Sequence, residues 1–208
     1  MKGLLLKDWY MMKEYCRSYL LLAVAFLALS ATNDDNLFFV FYPCLLCGMI
    51  PVNLLGYDER SHWLKYSGTL PYTRTQFVSA KYLIGLFSQV AILLSTGIVQ
   101  GVKMGTNGIF LWDAFLARIF LVIIVATLGS SITLPFVFKL GVEKGRAAYY
   151  VMIGFVCVAS AMASEMLQME LNVEIQMNTL LMILALVGIG VYLLSWYLSI
   201  QFFKKREI

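Results

Sequence analysis

The sequence predicts an all-α, polytopic membrane protein with six transmembrane helices, an N-terminal interfacial amphipathic helix and a short cytoplasmic helix between spans two and three. Three observations carry this reading. The composition is 61% hydrophobic and only 13% charged, with a mean hydropathy of +0.79, whereas soluble domains are about 45–50% apolar and about 25% charged. The charge-free stretches are long and continuous rather than alternating, which excludes a transmembrane β-barrel. The positive charges fall almost entirely on one side of the chain thus folded.

Residues 1–17, "MKGLLLKDWYMMKEYCR", place Leu5, Trp9, Met12 and Cys16 at helical spacing. Lys7, Lys13, Glu14 and Arg17 lie mostly elsewhere, the pattern of a helix lying in the cytoplasmic interface with Trp9 and Tyr10 at headgroup level. The charge-free stretches are Ser18–Asn33, Asn36–Tyr57, Tyr82–Val102, Ile119–Phe138, Ala147–Ser164 and Ile175–Phe203. About 20 apolar residues cross a bilayer. The first stretch is short, but Arg17 can extend its side chain to the headgroups. "SYLLLAVAFLALSA" has the look of a signal-peptide core, but what precedes it is too long and too patterned for an ordinary n-region.

Fourteen of the sixteen Lys and Arg residues fall on the side that holds both termini, leaving Lys103 and Arg118 on the other. The positive-inside rule therefore puts both termini in the cytoplasm. The outer connections carry Asp34, Asp35, Asp113, Glu165, Glu170 and Glu174 instead. Asn53 lies at depth beside Pro51 and is expected to bond a neighbouring helix or a freed backbone group. Arg118 is read as an anchor that reaches the outer surface. The fifth stretch is rich in Gly, Ala and Ser. With the first, it is expected to line the contact between two copies, since small residues let helices approach closely.

Several chemistries are excluded. His62 is the sole histidine, so no H-E-x-x-H zinc site exists, and it lies in a cytoplasmic loop, away from any intramembrane serine. The aspartates are read at or beyond the span ends, which removes an intramembrane aspartyl dyad. There is no G-x-x-x-x-G-K-[ST], so this chain cannot cradle nucleotide phosphates by itself. Cys44 and Cys47 form a C-x-x-C, but inside an apolar span they read as small packing residues. No catalytic, cofactor-binding or metal site is expected, and no nucleic-acid partner.

The densest polar segment is "DERSHWLKYSGTLPYTRTQFVSAKY", Asp58 to Tyr82. Asp58 and Glu59 are read as opening a short helix, because acids favour a helix N-terminus. Gly68 and Pro71 end it. Trp63, Leu64 and Tyr66 are its apolar contribution. So short a helix is marginal alone in water and must dock, either on the lipid interface or in a cleft of a cytoplasmic partner. Thr73 is read as the N-cap of the next helix. Span, short helix, Leu-Pro turn, helix and span make an elbow at 58–81.

Asp58-Glu59-Arg60, Trp63, Lys65-Tyr66, "LPYTR", Phe77-Val78 and "AKYL", followed by "FKLGVEKGR", resemble the permeases of type-2 ATP-binding-cassette (ABC) exporters. The resemblance covers essentially the whole chain, 1–208, as one transmembrane permease domain. Within that family it is closest to the phenol-soluble modulin exporter type of Gram-positive bacteria. The resemblance implies a multi-pass protein of the bacterial cell membrane, paired with a second permease copy as a homodimer and exporting amphipathic or antimicrobial peptides. It further implies a separate ABC ATPase subunit that binds ATP and Mg. Asp58, Glu59, Arg60, His62, Trp63, Leu64, Lys65 and Tyr66 would then form the coupling helix in that subunit's groove, with Trp63, Leu64 and Tyr66 filling a pocket. The alternative is a non-transporting immunity or sensor protein on the same fold.

The topology has a direct test. Cysteines introduced as Asn36→Cys and Glu170→Cys should react with an impermeant maleimide from outside. Those introduced as Lys144→Cys and Lys205→Cys should react only after permeabilisation. Protection of Glu170→Cys in intact cells would break the six-span reading.

Overall fold

The computed structural model describes residues 2–32, 37–63, 66, 72–106, 112–151, 153–154 and 177–205. Among these the regular elements are helices: α1 (Lys2–Tyr15), α2 (Arg17–Thr32), α3 (Leu37–Gly48), α4 (Ile50–Arg60), α5 (Arg74–Thr106), α6 (Trp112–Leu140) and α7 (Met177–Lys205). Residues 142–151 are also helical. Most of the fifth predicted span, and with it the expected small-residue contact through Ala161, lies outside the described residues, as do Leu64 and Lys65.

Four helical runs are long and apolar enough to cross a membrane: Phe38–Arg60, Arg74–Thr106, Phe115–Leu140 and Asn178–Lys205. A fifth is reached if α1 and α2, bent 68° from one another, count as one broken span. The bend separates a basic, mixed helix from an apolar one. α1 buries Leu4, Asp8 and Met12, and the line continues to Cys16. This corrects the predicted face: it is turned by about one residue, with Leu5 and Trp9 on its flank, and it carries a carboxylate.

Neighbouring helices run antiparallel where the chain turns directly between them. Phe26 packs on Phe38 and Tyr42 (α2 on α3). Gln89 donates to Ser130 Oγ at 2.7 Å and Arg118 donates to Gln100 Oε1 at 2.6 Å (α5 on α6). Arg118 is thus anchored, but on a neighbouring helix. α6 and α7 run parallel: Asn178 donates to Asp113, Gly188 faces Thr127, Ser195 donates to Ser131, and Phe138 meets Phe203.

In hydrocarbon every freed backbone carbonyl needs a donor. Pro135 lies inside α6 and has no N–H for the carbonyl of Ser131. The Ser195 hydroxyl takes that carbonyl at 2.7 Å. Between α3 and α4 the Met49 N–H turns to Leu46 O at 3.2 Å. Leu45 O, released by that turn, accepts the Tyr149 hydroxyl. At the end of α6, Gly141 sits at φ 91° and its N–H reaches Val137 O at 2.9 Å, an αL cap that a side chain would strain. The next helix then folds back so closely that a Cβ on Gly145 would lie 2.1 Å from Val137 Cγ2 and 3.0 Å from its Cα.

Gly145→Ala should therefore destabilise by about 1–3 kcal/mol, the usual scale of overpacking. Gly190→Ala meets no described atom within 4 Å and should leave stability level or slightly raised. Thermal unfolding in detergent, followed by circular dichroism, compares the two; equal midpoints would show that the α6 turn has slack.

Candidate functional site

The polar elbow begins differently from the prediction. α4 continues through Asp58 and Glu59 to Arg60, so these acids close a helix rather than open one. Ser61 N–H bonds Tyr57 O at 3.0 Å and His62 N–H bonds Glu59 O at 3.2 Å. His62 then adopts φ 54° and reverses the chain. Trp63 and Tyr66 are helical beyond it. Acids at a helix C-terminus face the negative end of its dipole, so each needs an outside partner. Glu59 Oε2 accepts the Val142 N–H at 3.2 Å, capping the helix at 142–151. Asp58 enters an ion cluster.

That cluster joins three elements. Lys81, from the second turn of α5, lies 2.7 Å from Asp8 Oδ1 of α1 and 2.6 Å from Asp58 Oδ2 of α4. Lys7 of α1 hydrogen-bonds Asp58 Oδ1 and lies 3.8 Å from Asp8. Asp8, Asp58 and Lys81 are at most 1% exposed; only Lys7 reaches the surface in part. Two carboxylates and two ammoniums sum to zero charge, which is what makes such burial tolerable. Burial, then the neighbouring Lys81 charge, hold the Lys7 ammonium below its ordinary pKa, opposed by Asp58 and Asp8.

Sequence reasoning missed this cluster. Lys7, Lys81 and Asp58 were counted as surface charges, and Asp8 was read at a span end. One signal was present: Leu4, Asp8, Met12 and Cys16 recur every four residues, so Asp8 had to share the buried face of α1.

Around the cluster the elbow is fastened further. Thr73 Oγ1 accepts the Gln76 N–H and Gln76 Oε1 accepts the Thr73 N–H, both at 3.2 Å. This is a capping box at the predicted N-cap of α5. Arg74 donates to the last carbonyls of α7, Phe203 O and Lys204 O. Asn53 does bond a neighbour, accepting from Arg146 Nη2 at 3.0 Å.

The predicted site residues therefore divide. Asp58 is sealed inside the chain, and Glu59 is committed to the 142–151 helix. Trp63, expected to fill a partner's pocket, is half-buried against this chain's own core. Lys7 Nζ lies 4.2 Å from its ring centroid. Arg60 and His62 are exposed, and Tyr66, 59% exposed, packs on Trp63 with ring centroids 5.4 Å apart and planes tilted by 47°. Among the described residues no group of three or more His, Cys, Asp or Glu is placed to hold a metal ion. Cys44 and Cys47 are buried in the core.

Lys81→Met would leave two buried carboxylates facing Lys7 alone. Removing one partner of a buried ion pair costs about 3–5 kcal/mol, so this variant should melt well below the parent in detergent. Arg60→Ala, at an exposed position, should melt with it; equal midpoints for all three proteins would mean that the cluster contributes nothing to stability.

The chain was compared with known proteins. No curated protein and no solved structure matches it. A family model described as ABC-2 family transporter protein matches residues 3–204. The match runs from the first turn of α1 to the end of α7, taking in the elbow and the charges beneath it, and the chain therefore belongs to the ABC-2 transporter family as a membrane-spanning permease component.

Proposed function

We propose that this permease forms half of an ATP-driven exporter of the bacterial cell membrane and seats its 58–81 elbow on a separate ABC ATPase. The observation that carries this reading is mechanical. The elbow leaves α4 and enters α5 at points tied to α1, to the 142–151 helix and to the end of α7. A push on such a segment is delivered to most of the bundle's inner end, which suits a lever better than a surface loop. Arg60, His62 and Tyr66 are the exposed elbow residues that would meet the ATPase. Leu64 and Lys65 belong to the same proposed contact.

The six-span topology with both termini inside is part of this reading. It is supported by the parallel course of α6 and α7, which puts Leu140 and Met177 at opposite ends of the bundle. α1 would lie in the cytoplasmic interface, and two copies would pair as a homodimer around the path. The proposed cargo is an amphipathic or antimicrobial peptide, on the strength of the family resemblance and an apolar bundle whose buried Asp8, Asp58 and Lys81 are paired within the chain.

An exposed aromatic at the centre of a protein contact commonly costs 2 kcal/mol or more when truncated, roughly thirtyfold in affinity. Tyr66→Ala should therefore sharply reduce co-purification with a co-expressed candidate ABC ATPase, along with substrate-stimulated ATP hydrolysis. Arg60→Ala, a rim charge, should weaken binding only a few-fold. Undiminished co-purification and transport by Tyr66→Ala, at equal expression in membranes, would remove the elbow from the ATPase contact. Purification with no ATPase at all would favour an immunity or sensor role.

A further inference from the structure

The elbow is held at both ends by one element, the first two turns of α1. At its start, the Lys7 ammonium hydrogen-bonds the Asp58 carboxylate and lies 4.2 Å from the Trp63 ring centroid. It thereby bridges the last turn of α4 to the first residue past the chain reversal. At the elbow's other end, a Cβ on Gly3 would stand 3.0 Å from the Tyr72 hydroxyl, so α1 touches Tyr72 through its one side-chain-free position. Trp63 and Tyr72 both pack, half-buried, against the core cluster that contains Leu4. Gly3, Leu4 and Lys7 lie within four residues of one another, on adjoining faces of a single helix.

The chain reverses at His62, immediately before Trp63. His62 sits in the left-handed region, which a non-glycine residue occupies at a cost. Among the described residues the buried Trp63 Nε1 has no hydrogen-bond partner, and the contacts they give this side chain are on its faces. A cation over an indole face is the strongest form of that contact, more so where water is partly excluded. Lys7 has that place, and its charge is counted in the neutral cluster with Asp8, Asp58 and Lys81. The elbow is tied further at Glu59 to the Val142 N–H, at Arg74 to Phe203 O and Lys204 O, and at Lys81 to Asp8 and Asp58.

We infer that α1 is a clasp on the elbow, with Lys7 the positioning residue at its Trp63 end and Gly3 the close-approach point at its Tyr72 end. The interfacial helix then sets the elbow's rest position and receives its displacement. The inference rests on the reading of the elbow as the ATPase contact for its use, but not for its geometry, and the two are tested separately.

The geometric test is trypsin cleavage after the exposed Arg60, in the full-length chain in inside-out vesicles without ATPase. When opening is fast, cleavage tracks the population of the opened state. Losing one partly desolvated cation–π contact should raise the rate about tenfold. The double variant Lys7→Met with Asp58→Asn removes the bridge while leaving Asp8 paired with Lys81 and the buried charge at zero. Gly3→Leu leaves all four charges in place and displaces Tyr72. Both should speed cleavage, whereas Lys7→Arg, which keeps cation and stacking, should stay near the parent rate. Cleavage at the parent rate in the double variant and in Gly3→Leu would overturn the clasp. Faster cleavage with unchanged ATPase co-purification and stimulation would uphold the clasp and reject the elbow as the ATPase contact.

Discussion

Where α1, α4 and α5 meet, two carboxylates and the Lys81 ammonium are shut away from water, with the half-buried Lys7 ammonium beside them, and the rest of that end of the bundle is arranged around them. A charge in such a place is tolerable only with an opposite charge within hydrogen-bonding distance. Asp8 and Asp58 share Lys81, and Lys7 completes the balance. Any relative movement of the three helices has to keep these pairs within reach. The cluster therefore fixes how the N-terminal helix crosses α5, and at what height α4 stops. That height decides where the elbow starts.

The same economy of polar groups recurs through the bundle, because a bilayer supplies no donors. Ser195 and Tyr149 answer carbonyls released at Pro135 and at the α3–α4 break. The Tyr82 hydroxyl lies 2.8 Å from Ser195 and 2.6 Å from Ser199, while Tyr82 O accepts the Tyr192 hydroxyl at 2.9 Å. Tyr82 follows Lys81 directly, so the hydroxyl network that locks α5 to α6 and α7 begins one residue from the ion cluster. Stacking of Tyr82 on Trp196, with rings 5.5 Å apart, adds an apolar face to the same joint. The inner half of the bundle is thus one connected polar and aromatic structure. The lipid-facing apolar residues of α2 and α7, such as Leu21 and Leu194, lie at its margin. In the function proposed above, motion at the elbow would reach the spans through this connected region.

Much of this was legible in the chain before any coordinates. Charge-free runs marked the helices, Thr73 with Gln76 marked the start of α5, and Asn53 beside Pro51 announced a polar tie to a neighbour. The elbow itself stood out, because a membrane chain has little reason to hold so many polar residues together. The errors cluster at one place. Asp58 and Glu59 were taken as a helix start because acids prefer that end of a dipole, a preference worth only about 0.3–1 kcal/mol. Two lysines and a backbone N–H from distant elements outweigh it. Trp63 was turned outward for a related reason: an aromatic among charges suggests a partner, and nothing in its neighbours reveals that Lys7, 56 positions earlier, covers its ring.

By itself, then, the sequence determined the solvent, most of the described helices and the segment most worth attention. These follow from local quantities, hydropathy and the spacing of residues along one helix. Tertiary structure alone decided which charges are surface and which are buried, which face of α1 is turned inward, and which of the described elbow residues are exposed. Those outcomes depend on pairing across 50 or more residues, as between Lys7 and Asp58. An ion's fate is set by the distance to its counter-charge, and the order of residues along a chain does not contain that distance.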